Sequence, residues 1–276
     1  KYISVKLARL LNFLPPQFDD IDFLISSYEK INEITLHADQ KAAVKIAVEN
    51  GVSVITGGPG TGKTTIIKCI LYVLKNQGKT ALCAPTGRAA KRLSESTQQE
   101  AKTIHRLLEL NFNNSERYFA FDENNPLDAD TVIVDEVSMV DEFLFNSLLR
   151  ALKEGTRLIL VGDKDQLPSI GAGNVLANII ESGAVKVQML TKIYRQGKQS
   201  LIVLNAHAIN NGNMPDLYDN NSDFFFIEKR TPKNIHDTVT QLCIDRLPQY
   251  LNCAAQDIQV LSPMKKGLSG VENLNK

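Results

Sequence analysis

Apolar positions along this chain follow two alternating rhythms. Short, nearly continuous apolar runs at 52–56, 79–84, 131–134, 157–161 and 185–190 read as strands buried on both faces. Between them lie stretches with helical spacing. Ala38, Ala42, Ala43, Ile46 and Ala47 mark a helix over 35–48, and Gly51 ends it. Further helices are predicted over 64–76, 87–95 and 141–153. Buried strands alternating with amphipathic helices predict an α/β fold: a mostly parallel sheet with helices on both faces.

The rhythm is looser at either end. Residues 1–33 are apolar-periodic with a break at Pro15-Pro16, and predict a helical lead-in. Past Arg195 a helix is predicted over 199–211, followed by a stretch at 210–223 rich in Asn, Gly, Asp and Pro that reads as a linker or loop. A strand over 224–227, a helix over 232–247 with Pro232 near its start, and a strand over 258–262 then predict the opening of a second α/β unit. The expected organisation is a lead-in at 1–33, a first domain at 34–198, and a linker with part of a second domain at 199–276. An insert at 110–127 is polar and aromatic, and Asn113-Asn114 could turn it into a hairpin.

Charge narrows the picture. Lys and Arg number 31 and Asp and Glu 31, a formal net charge of zero. Binding nucleic acid through one broad basic face is therefore excluded, and any phosphate contact must be local or made by backbone N–H groups and helix ends. The four cysteines, Cys69, Cys83, Cys243 and Cys253, show neither Cys-x-x-Cys nor zinc spacing, which fits a reduced, cytoplasmic setting. No stretch approaches about 18 consecutive apolar residues, so no membrane span is expected.

The strand ends carry the chemistry. Gly57, Gly58, Pro59, Gly60, Thr61, Gly62, Lys63 and Thr64 fit G-x-x-x-x-G-K-[ST] between a β-rich run and a helix. Glycines let backbone N–H groups wrap phosphates, Lys63 would reach the β/γ-phosphates and Thr64 would bind Mg²⁺. The run at 131–134 ends in Asp135 and Glu136. At the carboxyl end of a parallel strand, Asp135 would hold Mg²⁺ and Glu136 would polarise an attacking water. A solvated acidic pair is the alternative. The pair favours hydrolysis of a nucleoside triphosphate over transfer to a small acceptor. At the next strand end, Gln166 could report on a γ-phosphate or be an ordinary loop residue.

Taken in order, these segments resemble superfamily 1 helicases of the RecD-like (RecD/TraA) branch. Leu36-His-Ala-Asp-Gln40 is similar to the Q motif, and Gly57 through Thr65 to motif I. Residues 84–93 resemble motif Ia, 103–108 motif Ib, 135–141 motif II, 161–171 motif III and 190–196 motif IV. Residues 260–267 with Leu274-Asn275 resemble a later segment. The resemblance implies an ATP- and Mg²⁺-dependent motor moving 5′→3′ on single-stranded DNA and acting at duplex junctions, in recombination or repair. It implies that Gln40 contacts adenine, Tyr194 stacks on the base and Arg195 reaches the γ-phosphate. Gln166 would couple nucleotide state to DNA grip, and Pro85, Thr86, Arg88, Thr103, His105 and Arg106 would line the DNA path.

Arg88, Lys91, Arg92, Lys102 and Arg106 against Glu95 and Glu100 make a locally basic stretch able to meet phosphates. A solvated helix face remains open for Lys91 and Arg92, and a buried, hydrogen-bonded ring for His105. In the family the insert position holds a duplex-splitting pin, so the 110–127 hairpin would be that pin or an ordinary surface hairpin. Later family motifs, including a second γ-phosphate arginine, have no match here. The chain is therefore expected to be a fragment that binds ATP weakly and does not unwind DNA alone. The alternative is an ATP-binding module without motor activity that serves as a docking unit.

Overall fold

The Val-, Ile- and Leu-rich runs form strands because each satisfies its backbone by pairing with neighbours while both faces meet apolar helices. A computed structural model describes the chain except residues 1, 14, 17, 19, 114–115, 193–199, 219–222 and 276, and describes only the backbone of 112, 113, 116 and 117. The lead-in forms α1 (Tyr2–Leu11) and α2 (Ile21–Ile31), followed by α3 (Ala38–Glu49), β1 (Val52–Gly57), α4 (Lys63–Leu74), β2 (Thr80–Ala84) and α5 (Gly87–Thr97). Then come β3 (Ala101–Thr103), α6 (Ile104–Leu107), the hairpin β4 (Leu110–Asn113) and β5 (Glu116–Phe119), β6 (Thr131–Val134), α7 (Glu142–Ala151), β7 (Arg157–Gly162), α8 (Val175–Glu181) and β8 (Lys186–Leu190).

Six strands make one sheet in the order β3-β2-β6-β7-β1-β8, and every pair is parallel. Period-two alternation divides the core. Ile55, Ile133 and Ile159 pack against Tyr28 of α2, Val44 of α3 and Ile66 of α4. Val54, Val132 and Leu158 pack on the other face against Leu10 of α1, Phe145 of α7 and Leu176 of α8. Cys69 and Cys83 are buried free thiols, and burial pushes the Cys69 thiol up to about 12. Among the described residues no helix is long and apolar enough to cross a membrane.

Contacts divide the chain into residues 1–215 and 216–276. Helix α9 (Leu201–Asn210) falls in the first unit, with Leu201 and Asn205 buried. The second unit contains α10 (Pro232–Gln241), α11 (Leu247–Leu251) and the short α12 (Val271–Leu274). The strands expected at 224–227 and 258–262 do not form: neither segment joins a sheet among the described residues. An apolar run becomes a strand only where another strand accepts its ladder. Here Phe225 instead meets Tyr250 edge-on, with ring centroids 6.3 Å apart.

Candidate nucleotide and nucleic-acid site

The carboxyl ends of β1, β2, β6 and β7 deliver the motif residues to one rim of the sheet. In the phosphate loop, Gly60 and Gly62 adopt φ of +76° and +86°. That left-handed backbone suits glycine, and a Cβ at Gly62 would also collide with the Gln40 amide. Helix α4 starts at Lys63 without a side-chain cap, so its first N–H groups face the loop. Lys63 Nζ is turned back onto the loop, donating to Gly57 O at 2.5 Å and Gly58 O at 3.0 Å. Thr61 Oγ1 also donates to Gly58 O, at 2.8 Å.

Gln40 ties this loop to α3. Its Oε1 accepts from His37 N at 3.0 Å, closing a capping box, and its Nε2 donates to Thr61 O at 3.2 Å. The side chain is buried, so the residue expected to contact a base also holds the loop in place.

Asp135 and Glu136 leave β6 beside Lys63. Burial and the neighbouring Glu136 carboxylate push the Asp135 carboxyl up to about 6, against the pull of the Glu136 N–H, Lys63 and Arg92. Glu136 has φ +53° and ψ +43°, a conformation rare for a side-chain-bearing residue. Its N–H donates to Asp135 Oδ1 at 2.9 Å, while its Oε2 is buried without a hydrogen-bond partner. Such strain and an unpaired buried oxygen together mark a site held ready for a ligand. Ser138, two residues past Glu136, donates to Gln166 Oε1 at 3.0 Å and links the β6 and β7 ends.

A cleft of about 780 Å³ is lined by Lys63, Thr64, Thr65, Asp135, Glu136 and Gln166 among others. Helix α5 forms its other wall. Arg88, Arg92 and Ser96 lie one turn apart and face the cleft, together with Lys68 of α4. Lys91, on the flank of α5, pairs with Glu95 at 3.8 Å, and Lys102 pairs with Glu100 at 3.7 Å. Helical phase thus sets Lys91 on a different face of α5 from Arg88 and Arg92, while Lys102 lies on β3. Arg92 is exposed at the rim of the cleft and acts electrostatically on Asp135.

The residues expected along the DNA path fall into two groups. Thr86 and Arg88 border the cleft, and Thr86 Oγ1 caps α5 by accepting from Ala89 N at 3.2 Å. Thr103, His105 and Arg106 border a separate hollow of about 460 Å³ at the hairpin base, with Glu109, Leu110 and Asn111. Thr103 Oγ1 caps α6 by accepting from Arg106 N at 3.1 Å. Pro85 follows β2 and is half-buried. The hairpin pairs Leu110 with Phe119 and Asn111 with Tyr118. Phe119 and Phe121 pack on the core, whereas Tyr118 is exposed. The His105 and Phe119 ring centroids lie 6.1 Å apart. Tyr194 and Arg195 lie outside the described residues.

Motif reading did not single out Ser138, Lys68 or His207. His207 on α9 lies against Gly58, with ring atoms 3.6 and 3.9 Å from where a Gly58 Cβ would sit. No signal in the local sequence marks it. The four-residue spacing of Arg88 and Arg92, which puts them on one face of α5, is the sequence signal for their shared wall.

Residues 40–172 match a family described as an AAA domain. The chain is similar to an ATP-dependent RecD2 DNA helicase of Deinococcus radiodurans, 36% identical over 241 residues, covering 87% of this chain and 32% of that protein. It is also similar to the RecBCD enzyme subunit RecD of Mycolicibacterium smegmatis, 41% identical over 185 residues, covering 58% of this chain and 33% of that one. The crystal structure of the Pif1 helicase from Candida albicans superimposes with a TM-score of 0.50 at 25% identity, covering 66% of this chain and 45% of its own. The chain spans about a third of the length of these two curated relatives.

Proposed function

We propose that this chain, which belongs to the RecD-like branch of the superfamily 1 helicases, is an ATP-hydrolysing motor unit that acts on single-stranded DNA at duplex junctions. The observation that carries the proposal is the meeting, in one cleft, of the phosphate loop, the Asp135–Glu136 pair and Gln166, which Ser138 holds. Bound MgATP would supply the phosphoanhydride bond and the cation that offsets its charge.

The residues of the chain divide the work. The loop N–H groups and the start of α4 would hold the phosphates, and Lys63 would leave its own carbonyls for the β/γ-phosphates. Thr64 and Asp135 would hold Mg²⁺, with phosphate oxygens completing its coordination. The unpaired Glu136 Oε2 would accept a hydrogen bond from the attacking water and orient it. Arg88, Arg92 and Lys68 would add positive potential on the α5 side. Gln166, already held by Ser138, would pass nucleotide state to the loop after β7. By resemblance, Tyr194 would stack on the base, Arg195 would reach the γ-phosphate and movement would run 5′→3′. The domain division at 34–198 and 199–276, and a role in recombination or repair inside the cell, belong to the same proposal.

The test is ATP turnover with and without single-stranded DNA, for this chain and for one extended at its C-terminus, each with a Lys63→Ala partner. DNA-stimulated turnover that Lys63→Ala abolishes supports the motor. Tight ATP binding with no turnover in either length would favour a binding module instead.

A further inference from the structure

One imidazole nitrogen behind the phosphate loop is buried without a hydrogen bond. It is Nε2 of His207, whose ring rests against Gly58. Buried nitrogens are nearly always paired, so an unpaired one points to a bond made in another arrangement of the same groups.

Gly58, the residue the ring rests against, carries a carbonyl that can offer such a partner. A carbonyl oxygen has two lone pairs. Both are taken here, by Thr61 Oγ1 at 2.8 Å and Lys63 Nζ at 3.0 Å. Lys63 cannot stay on Gly58 and also serve a phosphate, and the charge-assisted bond to phosphate is the stronger of the two. When Lys63 turns, Gly58 O loses one donor, on the residue that the partnerless His207 ring rests against.

We propose that His207 is a positioning residue that takes over the Gly58 carbonyl when Lys63 turns to a bound phosphate, latching α9 to the phosphate loop in that state. The donor is the Nε2–H tautomer, and no proton is transferred. The latch rests on reading the loop as a nucleotide site. It carries nucleotide state into α9, from which the chain runs on toward residues 216–276.

The experiment follows the His207 side-chain nitrogen resonances in the 276-residue chain. Adding MgADP to the wild type moves Nε2 to a hydrogen-bonded position. Lys63→Met, which removes the competing donor, moves it without any nucleotide. A resonance that stays at its ligand-free wild-type position in Lys63→Met overturns the exchange, whether or not the chain binds ATP. Titration with a fluorescent ADP gives a second readout. His207→Phe weakens binding roughly three- to ten-fold, the loss of one hydrogen bond. His207→Gln, whose amide can donate from the same place, stays within about two-fold of wild type. Equal weakening by both variants reduces His207 to packing and overturns the latch. A wild type that binds no ADP sinks the nucleotide reading, while the Lys63→Met spectrum still decides the exchange.

Discussion

Replacing Gln40 with alanine should loosen the protein before any nucleotide is added. The amide makes two bonds from a site that is 4% exposed: it accepts from His37 N at 3.0 Å and donates to Thr61 O at 3.2 Å. Losing the capping-box half costs about 1 kcal/mol. Leaving the Thr61 carbonyl without its donor costs about 1–2 kcal/mol more. The sum, about 2–3 kcal/mol, corresponds to a fall in Tm of roughly 4–12 °C for a unit of this size. Thermal melts followed by circular dichroism without nucleotide measure it directly. Gln40→Glu sharpens the test. It keeps the acceptor for His37 but sets a carboxylate against the Thr61 carbonyl. At neutral pH it should be at least as damaging, and it should recover toward acid, where the buried carboxyl protonates and can donate. A Gln40→Ala protein that melts within about 1 °C of wild type yet binds ATP poorly would refute the reasoning and leave Gln40 as a ligand contact alone.

Three further outcomes are expected. Arg92→Gln should weaken MgATP binding by about ten-fold, whereas Lys91→Gln, paired with Glu95 on the flank of α5, should stay within about two-fold; equal effects in a titration would undo the assignment by helical phase. Glu29 joins α2 to α3, accepting from Leu36 N at 2.6 Å and Lys41 Nζ at 2.8 Å. Burial pushes its carboxyl up, but these bonds and the Lys41 charge outweigh it and hold the carboxyl below 4.5. Its stabilisation is therefore complete above that pH and is lost as pH falls through the depressed value, so urea melts should separate wild type from Glu29→Gln by about 1–2 kcal/mol at pH 7 and converge in acid. Tyr118→Ala should lower duplex unwinding several-fold, in a form of the chain that unwinds DNA, and leave ATP turnover within about two-fold; Phe119→Ala should instead lower stability, because Phe119 packs on the core.

The central sheet was legible because strands buried on both faces leave unbroken apolar runs, as at Thr131–Val134 and Arg157–Gly162. Strand β3 was not, since Ala101-Lys-Thr103 has no such run and is a strand only because β2 offers it an edge. Helix α8 is seven residues long behind a Gly-rich loop, too short to set up a clear period. The runs at 224–227 and 258–262 show the opposite failure: the local pattern suits a strand, but neither run joins a sheet among the described residues. The site divides in the same way. Lys63, Asp135 and Glu136 lie in contiguous motifs, whose spacing reports their chemistry. Ser138 and His207 matter through partners 28 residues away, at Gln166, and across the fold, at Gly58. No local pattern encodes such a meeting.

The sorting of charge on α5 bears on how salt would act on a nucleic-acid track. Arg92 faces the cleft, and Lys91 and Lys102 sit beside glutamates. Under the proposed function the hollow at the hairpin base would then neutralise only one or two phosphates. Counterion release would give a slope of about −0.7 to −1.4 against the logarithm of salt, so a four-fold rise in salt would cost roughly three- to seven-fold in affinity. Proteins that neutralise many phosphates lose far more over the same range. A motor tethered so lightly by ions can let go of its track through a change of shape, without first paying to rebuild an ion atmosphere around it.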